Sequence, residues 1–174
     1  KWNFINTEGQ LLSKQWFDAA LDFSEGFAKV KLNRKYNFIN TEGQIAFDQW
    51  FDWVGNFMNG FAMVQLNGKW NFLNTEGQLL SQQWFDWVGN FMNGFAIVQL
   101  NGKCNFISTE GRILSNQWFD NMRIFIEGFA GVRLNGKWNF INTEGQLLSK
   151  QWFDDAGNFS EGFVVVRLNG KRYN

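Results

Sequence analysis

Residues 60–72 read GFAMVQLNGKWNF, two apolar runs joined by Asn67-Gly68. Asn-Gly between apolar runs marks a two-residue type I′ hairpin, because both central residues of that turn need φ > 0. Glycine meets that demand freely, and asparagine meets it better than most residues that carry a Cβ. The turn sets the register: Leu66 faces Lys69, Gln65 faces Trp70, Val64 faces Asn71 and Met63 faces Phe72. Opposed residues share a face. One face then carries Ala62, Val64 and Leu66, and the other carries Phe61, Trp70 and Phe72. A sheet that is apolar on both faces cannot leave either in water, so this hairpin needs neighbours on both sides.

The rest of the chain supplies them. Lys1, Lys35, Lys69, Lys103, Lys137 and Lys171 precede the same pattern at steps of 34 residues. The expected organisation is a single repeat domain over residues 1–174. Its units are 1–34, 35–68, 69–102, 103–136 and 137–170, with the start of a sixth at 171–174. Helical tetratricopeptide units share this period. They need apolar residues at i, i+3, i+4 and i+7, whereas here turn residues interrupt the pattern every six to ten positions.

In the third unit a first strand covers 69–74. Asn74-Thr75-Glu76-Gly77 then reads as a type I turn closed by a left-handed glycine, the bulged hairpin form. Gly9, Gly43, Gly77, Gly111 and Gly145 hold that place in every unit. A second strand is expected from Gln78, an irregular or short strand within 83–91, and a third strand from Gly94 to the next Asn-Gly. The expected fold is all-β: tandem antiparallel β-hairpin and meander repeats in an open twisted, solenoid-like array. The alternative is a closed five-bladed β-propeller-like ring, because residues 1–6 are of the strand type that pairs with residues 162–168. Four-stranded propeller blades usually take about 40–45 residues, which favours the open array. Neither end shows a polar capping unit, so the array is expected to continue or its ends to meet.

Aromatic residues make up 19% of the chain, ample for a core. Sixteen basic and 16 acidic residues cancel, leaving no basic excess to attract a phosphate backbone, so nucleic acid is not an expected partner. No apolar run of about 18 residues exists for membrane insertion by a helix. There is no histidine, and the single cysteine, Cys104, stands where Trp2, Trp70 and Trp138 stand in other units. It reads as a small apolar replacement. Ser-His-Asp, Cys-His and thiolate-cluster chemistry are thereby excluded. No glycine motif cradles phosphate, and no cofactor or metal is expected. Glu8, Glu42, Glu76, Glu110 and Glu144 read as solvated turn residues. A glycosidase needs one matched carboxylate pair in one cleft; acids repeated in every unit read as frame. The chain is not expected to be an enzyme.

Two candidate binding sets remain. The first pairs each repeated tryptophan with the aspartate two residues on: Trp16 and Asp18, Trp50 and Asp52, Trp84 and Asp86, Trp118 and Asp120, Trp152 and Asp154. The tryptophans read first as core or inter-unit packing and the aspartates as Asx-type turns. As ligand residues they would form a sugar-stacking ladder with one site per unit. The second set comes from positions that differ between units. One slot holds Ala19, Trp53, Trp87, Asn121 and Asp155; another holds Ser24, Met58, Met92, Ile126 and Ser160. Slots that accept polar residues are expected on the surface, so Trp53, Met58, Trp87 and Met92 are the candidate partner-binding residues. Lys29, Lys31 and their counterparts along strand three read as a solvated or inter-unit face.

The recurring signature G-F-A-x-V-x-L-N-G-K-W-N-F-I-N-T-E-G, followed by W-F-D and F-x-x-G, resembles the bacterial WG (KWG) repeats over essentially the whole chain. The resemblance implies short β-rich tandem units, a bacterial cell-surface or secreted location, and no established catalytic residue. One departure is systematic: Asn3, Asn37, Asn71, Asn105 and Asn139 replace the glycine after the aromatic residue. The expectation is that asparagine keeps a left-handed backbone there. The function expected is a non-enzymatic repeat scaffold mediating protein–protein interaction or self-assembly. A multivalent carbohydrate-binding module is the alternative.

Overall fold

The computed structural model describes residues 1–168. The Asn169-Gly170 turn and the expected sixth unit at 171–174 lie outside the described residues. Asn33-Arg34, Asn67-Gly68, Asn101-Gly102 and Asn135-Gly136 each have positive φ at both residues. A type I′ turn therefore closes a hairpin at each of these places, as the Asn-Gly reading requires.

The first sheet orders β1 (Ala19–Ser24), β2 (Phe27–Leu32) and β3 (Lys35–Asn40). The second orders β4 (Trp53–Val54), β5 (Phe61–Leu66) and β6 (Lys69–Asn74). The third has β7 (Trp87–Val88), β8 (Phe95–Leu100) and β9 (Lys103–Ser108), and the fourth β10 (Asn121–Met122), β11 (Phe129–Leu134) and β12 (Lys137–Asn142). The fifth pairs β13 (Asp155–Ala156) with β14 (Val166–Arg167). All pairings are antiparallel. β5 and β6 run in register from Leu66 opposite Lys69 to Phe61 opposite Asn74, as derived from the turn. The chain is thus an all-β tandem array of hairpin and meander repeats. Each three-stranded sheet takes its first two strands from the end of one 34-residue unit and its third from the start of the next.

Two details differ from the expectation. Residues 78–81 form no strand: Leu73 and Leu79 make an isolated bridge, and Leu80 donates to Phe72 O at 2.9 Å. The bulged turn displaces this return segment, which regains the ladder only where Phe85 and Trp70 exchange bonds of 2.9 and 2.8 Å. The asparagines after the aromatic residue are not left-handed either; none has positive φ. Asn37, Asn71, Asn105 and Asn139 lie within strands and are fully buried. Their side chains explain their presence, as described below.

The chain divides into two compact units, Lys1–Phe85 and Asp86–Asn174. In the first, Phe17, Ala28, Val30 and Ile39 form one core cluster, and Phe38, Phe51, Val54, Phe57, Ala62, Val64 and Leu73 another. Phe57, from beside the second sheet, packs against Phe27 and Phe38 of the first at 4.8 Å between ring centroids. In the second unit Phe125 plays the same part, 4.8 Å from Phe95 and 4.7 Å from Phe106. Burying one such ring is worth about 1.5–3 kcal/mol. Within each of these units this phenylalanine is one of the links between neighbouring repeats.

Candidate functional site

The repeated aspartates are positioned by the turn after the Trp-Phe pair. Asp52 Oδ1 pairs with Lys35 Nζ, and Asp52 Oδ2 accepts the Asn67 N–H at 2.6 Å. Asp18 repeats this with Lys1 and with Asn33 N–H at 2.9 Å; Asp120 does so with Lys103 and with Asn135 N–H at 2.7 Å. Asp86 accepts Asn101 N–H at 2.6 Å, and Asp154 pairs with Lys137. The lysine bond first, and the turn N–H second, hold the carboxyls of Asp18, Asp52 and Asp120 below the usual carboxylate range. A carboxylate with both oxygens engaged in clamping a hairpin is poorly placed for proton transfer. Among the described residues no group of three or more His, Cys, Asp or Glu could hold a metal ion.

The buried asparagines are clips. Asn71 Nδ2 donates to Ser81 O at 2.7 Å and to Gln83 O at 3.3 Å, while its Oδ1 accepts the Phe72 N–H at 2.8 Å. Asn37 holds Phe47 O and Gln49 O, and Asn105 holds Ser115 O and Gln117 O, in the same way. The side chain supplies the ladder bonds that the displaced return segment lacks.

The tryptophans of the first set take intermediate places. Trp16 is exposed; Trp50, Trp84, Trp118 and Trp152 are half-buried. Trp84 packs on the core of the first unit and Trp152 on that of the second. Trp50 joins Gln15, Asn33, Lys35 and Asp48 around an open groove of about 580 Å³ in the first unit. Asp52 does not line it.

The variable positions divide. Met58 in the first unit is exposed, as are Trp87 and Met92 in the second. Trp53 is half-buried: its ring meets Trp70 edge-on at 5.3 Å, and Lys29 Nζ lies 5.4 Å from its centroid. Lys29 also donates to Val54 O at 3.1 Å, and burial lowers its pKa. In the second unit Arg123 stacks on Trp138 at 4.1 Å and donates to Ala156 O and Gly157 O. Burial raises the Cys104 pKa, with the charge of Asp120 adding to it, which disfavours the reactive thiolate.

Sequence reasoning passed over a second type I′ turn in every repeat. Glu25-Gly26, Asn59-Gly60, Asn93-Gly94, Glu127-Gly128 and Glu161-Gly162 all have positive φ at both residues. The dipeptides recur every 34 residues and were a legible turn signal. Met58 and Met92 immediately precede two of them, bridged to Phe61 and Phe95. The glutamates do more than turn the chain. Glu25 accepts the N–H groups of Asn59 and Gly60 at 2.7 and 2.8 Å, and Glu127 those of Glu161 and Gly162, both at 2.9 Å. One repeat's carboxylate thus caps the next repeat's turn.

The model of the WG containing repeat matches residues 2–36, 38–70, 72–104, 106–138 and 140–171. The chain belongs to the WG repeat family. Family membership and the stacked hairpins make it a tandem-repeat scaffold. Comparison with curated proteins finds no match. Among solved structures, Hsv2 from Kluyvelomyces marxianus is similar at 12% identity and a TM-score of 0.44, covering 75% of this chain and 47% of that one. A protein of unknown function from Bacteroides caccae is similar at 13% identity and a TM-score of 0.29, covering 95% of this chain and 78% of that one. The WG repeat chain spans about half the length of the Hsv2 chains it matches.

Proposed function

We propose that this WG repeat chain is a non-enzymatic scaffold that binds another protein through apolar side chains at its variable positions. The observation that carries this reading is a division of labour. Asp18, Asp52 and Asp120 have both carboxylate oxygens engaged in the frame, while Met58, Trp87 and Met92 stand in solvent. Exposed aromatic and methionine side chains are the usual anchors of protein interfaces. The test compares wild type with a Met58→Ser, Trp87→Asn, Met92→Ser variant. Proteins retained by wild type from a lysate are purified and titrated by calorimetry. Saturable binding that weakens at least tenfold in the variant, with an unchanged melting temperature, supports the reading. Equal affinity for both chains rejects it.

The groove beside Trp50 supports a second reading, carbohydrate binding. An aromatic face with Gln15, Asn33, Lys35 and Asp48 around it offers stacking and hydrogen bonds to a sugar ring. A glycan array separates the two readings. Sugar binding lost on Trp50→Ala, with the variable positions intact, would favour this one.

A further inference from the structure

The turn before each central strand leaves two N–H groups over. Ile126 and Phe129 exchange the bonds that close the Glu127-Gly128 turn, at 2.9 and 3.0 Å, so the N–H groups of Glu127 and Gly128 have no place in the ladder. Met58 and Phe61 close the Asn59-Gly60 turn in the same way, and Ser160 and Phe163 the Glu161-Gly162 turn. The three turns share one backbone shape. Their φ values are +50° and +82° at Glu127 and Gly128, +52° and +81° at Asn59 and Gly60, and +53° and +80° at Glu161 and Gly162. Successive N–H groups in such a turn make a concavity suited to an anion. Two of the three hold one. Glu25 gives one carboxylate oxygen to each N–H of Asn59 and Gly60, and Glu127 does the same for Glu161 and Gly162.

The Glu127-Gly128 turn is the exception. Asn93 stands, at 34-residue offsets, where Glu25 and Glu127 stand before the other two turns. Its side chain is one methylene shorter, and its Nδ2 donates to Phe125 O at 3.5 Å. In the first unit Ser24 makes the corresponding bond, from Oγ to Phe57 O at 3.0 Å. Met92 has the place of Ser24 and no O–H to give. Among the described residues no carboxylate reaches the Glu127 or Gly128 N–H. Both residues are exposed, as are Met92 and Asn93. The glutamate at the head of the turn is no obstacle, because Glu161 heads a turn that does hold a carboxylate.

We infer that the Glu127-Gly128 turn receives a glutamate side chain of the protein partner. That carboxylate takes the place that Glu25 has on Asn59-Gly60, one oxygen to each N–H, and an apolar neighbour of the glutamate rests on Met92. The inference rests on the reading of Met92 as a contact residue, and adds the chemistry of the partner: an acidic residue flanked by apolar ones. The exchange of Ser for Met92 and of Glu for Asn93 turns an internal cap into an open receptor. A hydrogen bond to a charged acceptor is about twice as strong as a neutral one. The turn already holds both N–H groups in the receiving geometry, so binding orders little of this chain. A glutamine, uncharged and with a single acceptor oxygen, cannot satisfy both.

Amide NMR tests the inference. Acetyl-Leu-Glu-Leu-amide is titrated into the isotope-labelled protein, with acetyl-Leu-Gln-Leu-amide as its control. The Glu127 and Gly128 amide signals should move downfield and saturate with the glutamate peptide, and the glutamine peptide should bind about tenfold more weakly. Asn93→Glu closes the site from within, as Glu25 and Glu127 close theirs. It should abolish the shifts while Trp87 and Met92 stay as they are. Equal shifts with both peptides, no shift at either amide, or shifts that persist in Asn93→Glu would overturn the inference. The comparison of the two peptides uses wild type alone and does not depend on the variant folding. If the Met58→Ser, Trp87→Asn, Met92→Ser variant loses its partner while the peptides move neither amide, this inference fails and the binding surface stands.

Discussion

Asn71 Nδ2 donates to the carbonyl oxygen of Ser81 at 2.7 Å, ten residues downstream. The donor is fully buried and the same atom also reaches Gln83 O. The asparagine that replaces the family glycine therefore binds the return segment to the strand. Asn71→Gly removes these bonds and leaves buried polar groups unsatisfied, a loss of about 1–3 kcal/mol. Urea unfolding should show it as a lower midpoint with an unchanged slope. A midpoint equal to wild type would mean that the clip does not hold the repeat.

The turn glycines separate backbone from packing effects. Gly9 and Gly43 have φ of +82° and +80°, so alanine at either is strained by about 1–2 kcal/mol. A Cβ at Gly9 meets nothing within 4 Å, whereas at Gly43 it would sit 1.9 Å from Leu12 O. Gly43→Ala should be the more destabilising of the two by at least about 1 kcal/mol. Equal melting temperatures would show that the repeats do not approach so closely at this turn.

Asp52 couples stability to acid. Its folded pKa lies below the unfolded value, through Lys35 first and the Asn67 N–H second. Its contribution is therefore present above the unfolded value of about 3.9 and is lost as pH falls through the folded one. Asp52→Asn should lower the urea midpoint at pH 7 and flatten the fall in stability below about pH 4. Parallel curves for the two chains across that range would contradict the clamp.

Trp87 should become buried in a Cys104→Trp variant. Gln99 stands opposite both residues, as Gln65 stands opposite Trp53 and Trp70. The new ring would reproduce the Trp53–Trp70 edge contact, worth about 0.5–1.5 kcal/mol beyond its buried area. A higher melting temperature and a fluorescence blue shift are expected. An unchanged spectrum would mean that Trp87 stays in solvent.

Turn chemistry was the most legible part of the fold. Asn67-Gly68 and the bulge glycines declare their φ requirements locally, and the hairpin register followed from them residue by residue. The missed Glu25-Gly26 turn was equally local. Glutamate is a poorer occupant of the left-handed region than asparagine, so Glu-Gly signals less, but Asn59-Gly60 and Asn93-Gly94 carry the same signal as Asn67-Gly68 and made this turn equally legible. The aspartates read as local Asx-type turns, but the N–H that Asp52 accepts belongs to Asn67, 15 residues on, and its lysine partner lies 17 residues back, so the clamp was not legible locally. The clip role of Asn71 was hidden, because a buried amide and a left-handed asparagine look alike until the strand beneath is known.

Residues 52–62 and 86–96 both read DWVGNFMNGFA. Sequence alone determined that each holds a short or irregular strand followed by a strand opening at the glycine, since those features depend on apolar alternation within a few residues; the turn between them was passed over. It gave Trp53 and Trp87 the same reading. Tertiary structure separated them: Trp53 meets Trp70 across the sheet, while Trp87 has Cys104 there and remains exposed. Burial is a property of what lies on the neighbouring strand. A local stretch cannot specify that until strands far apart in the chain are brought into register.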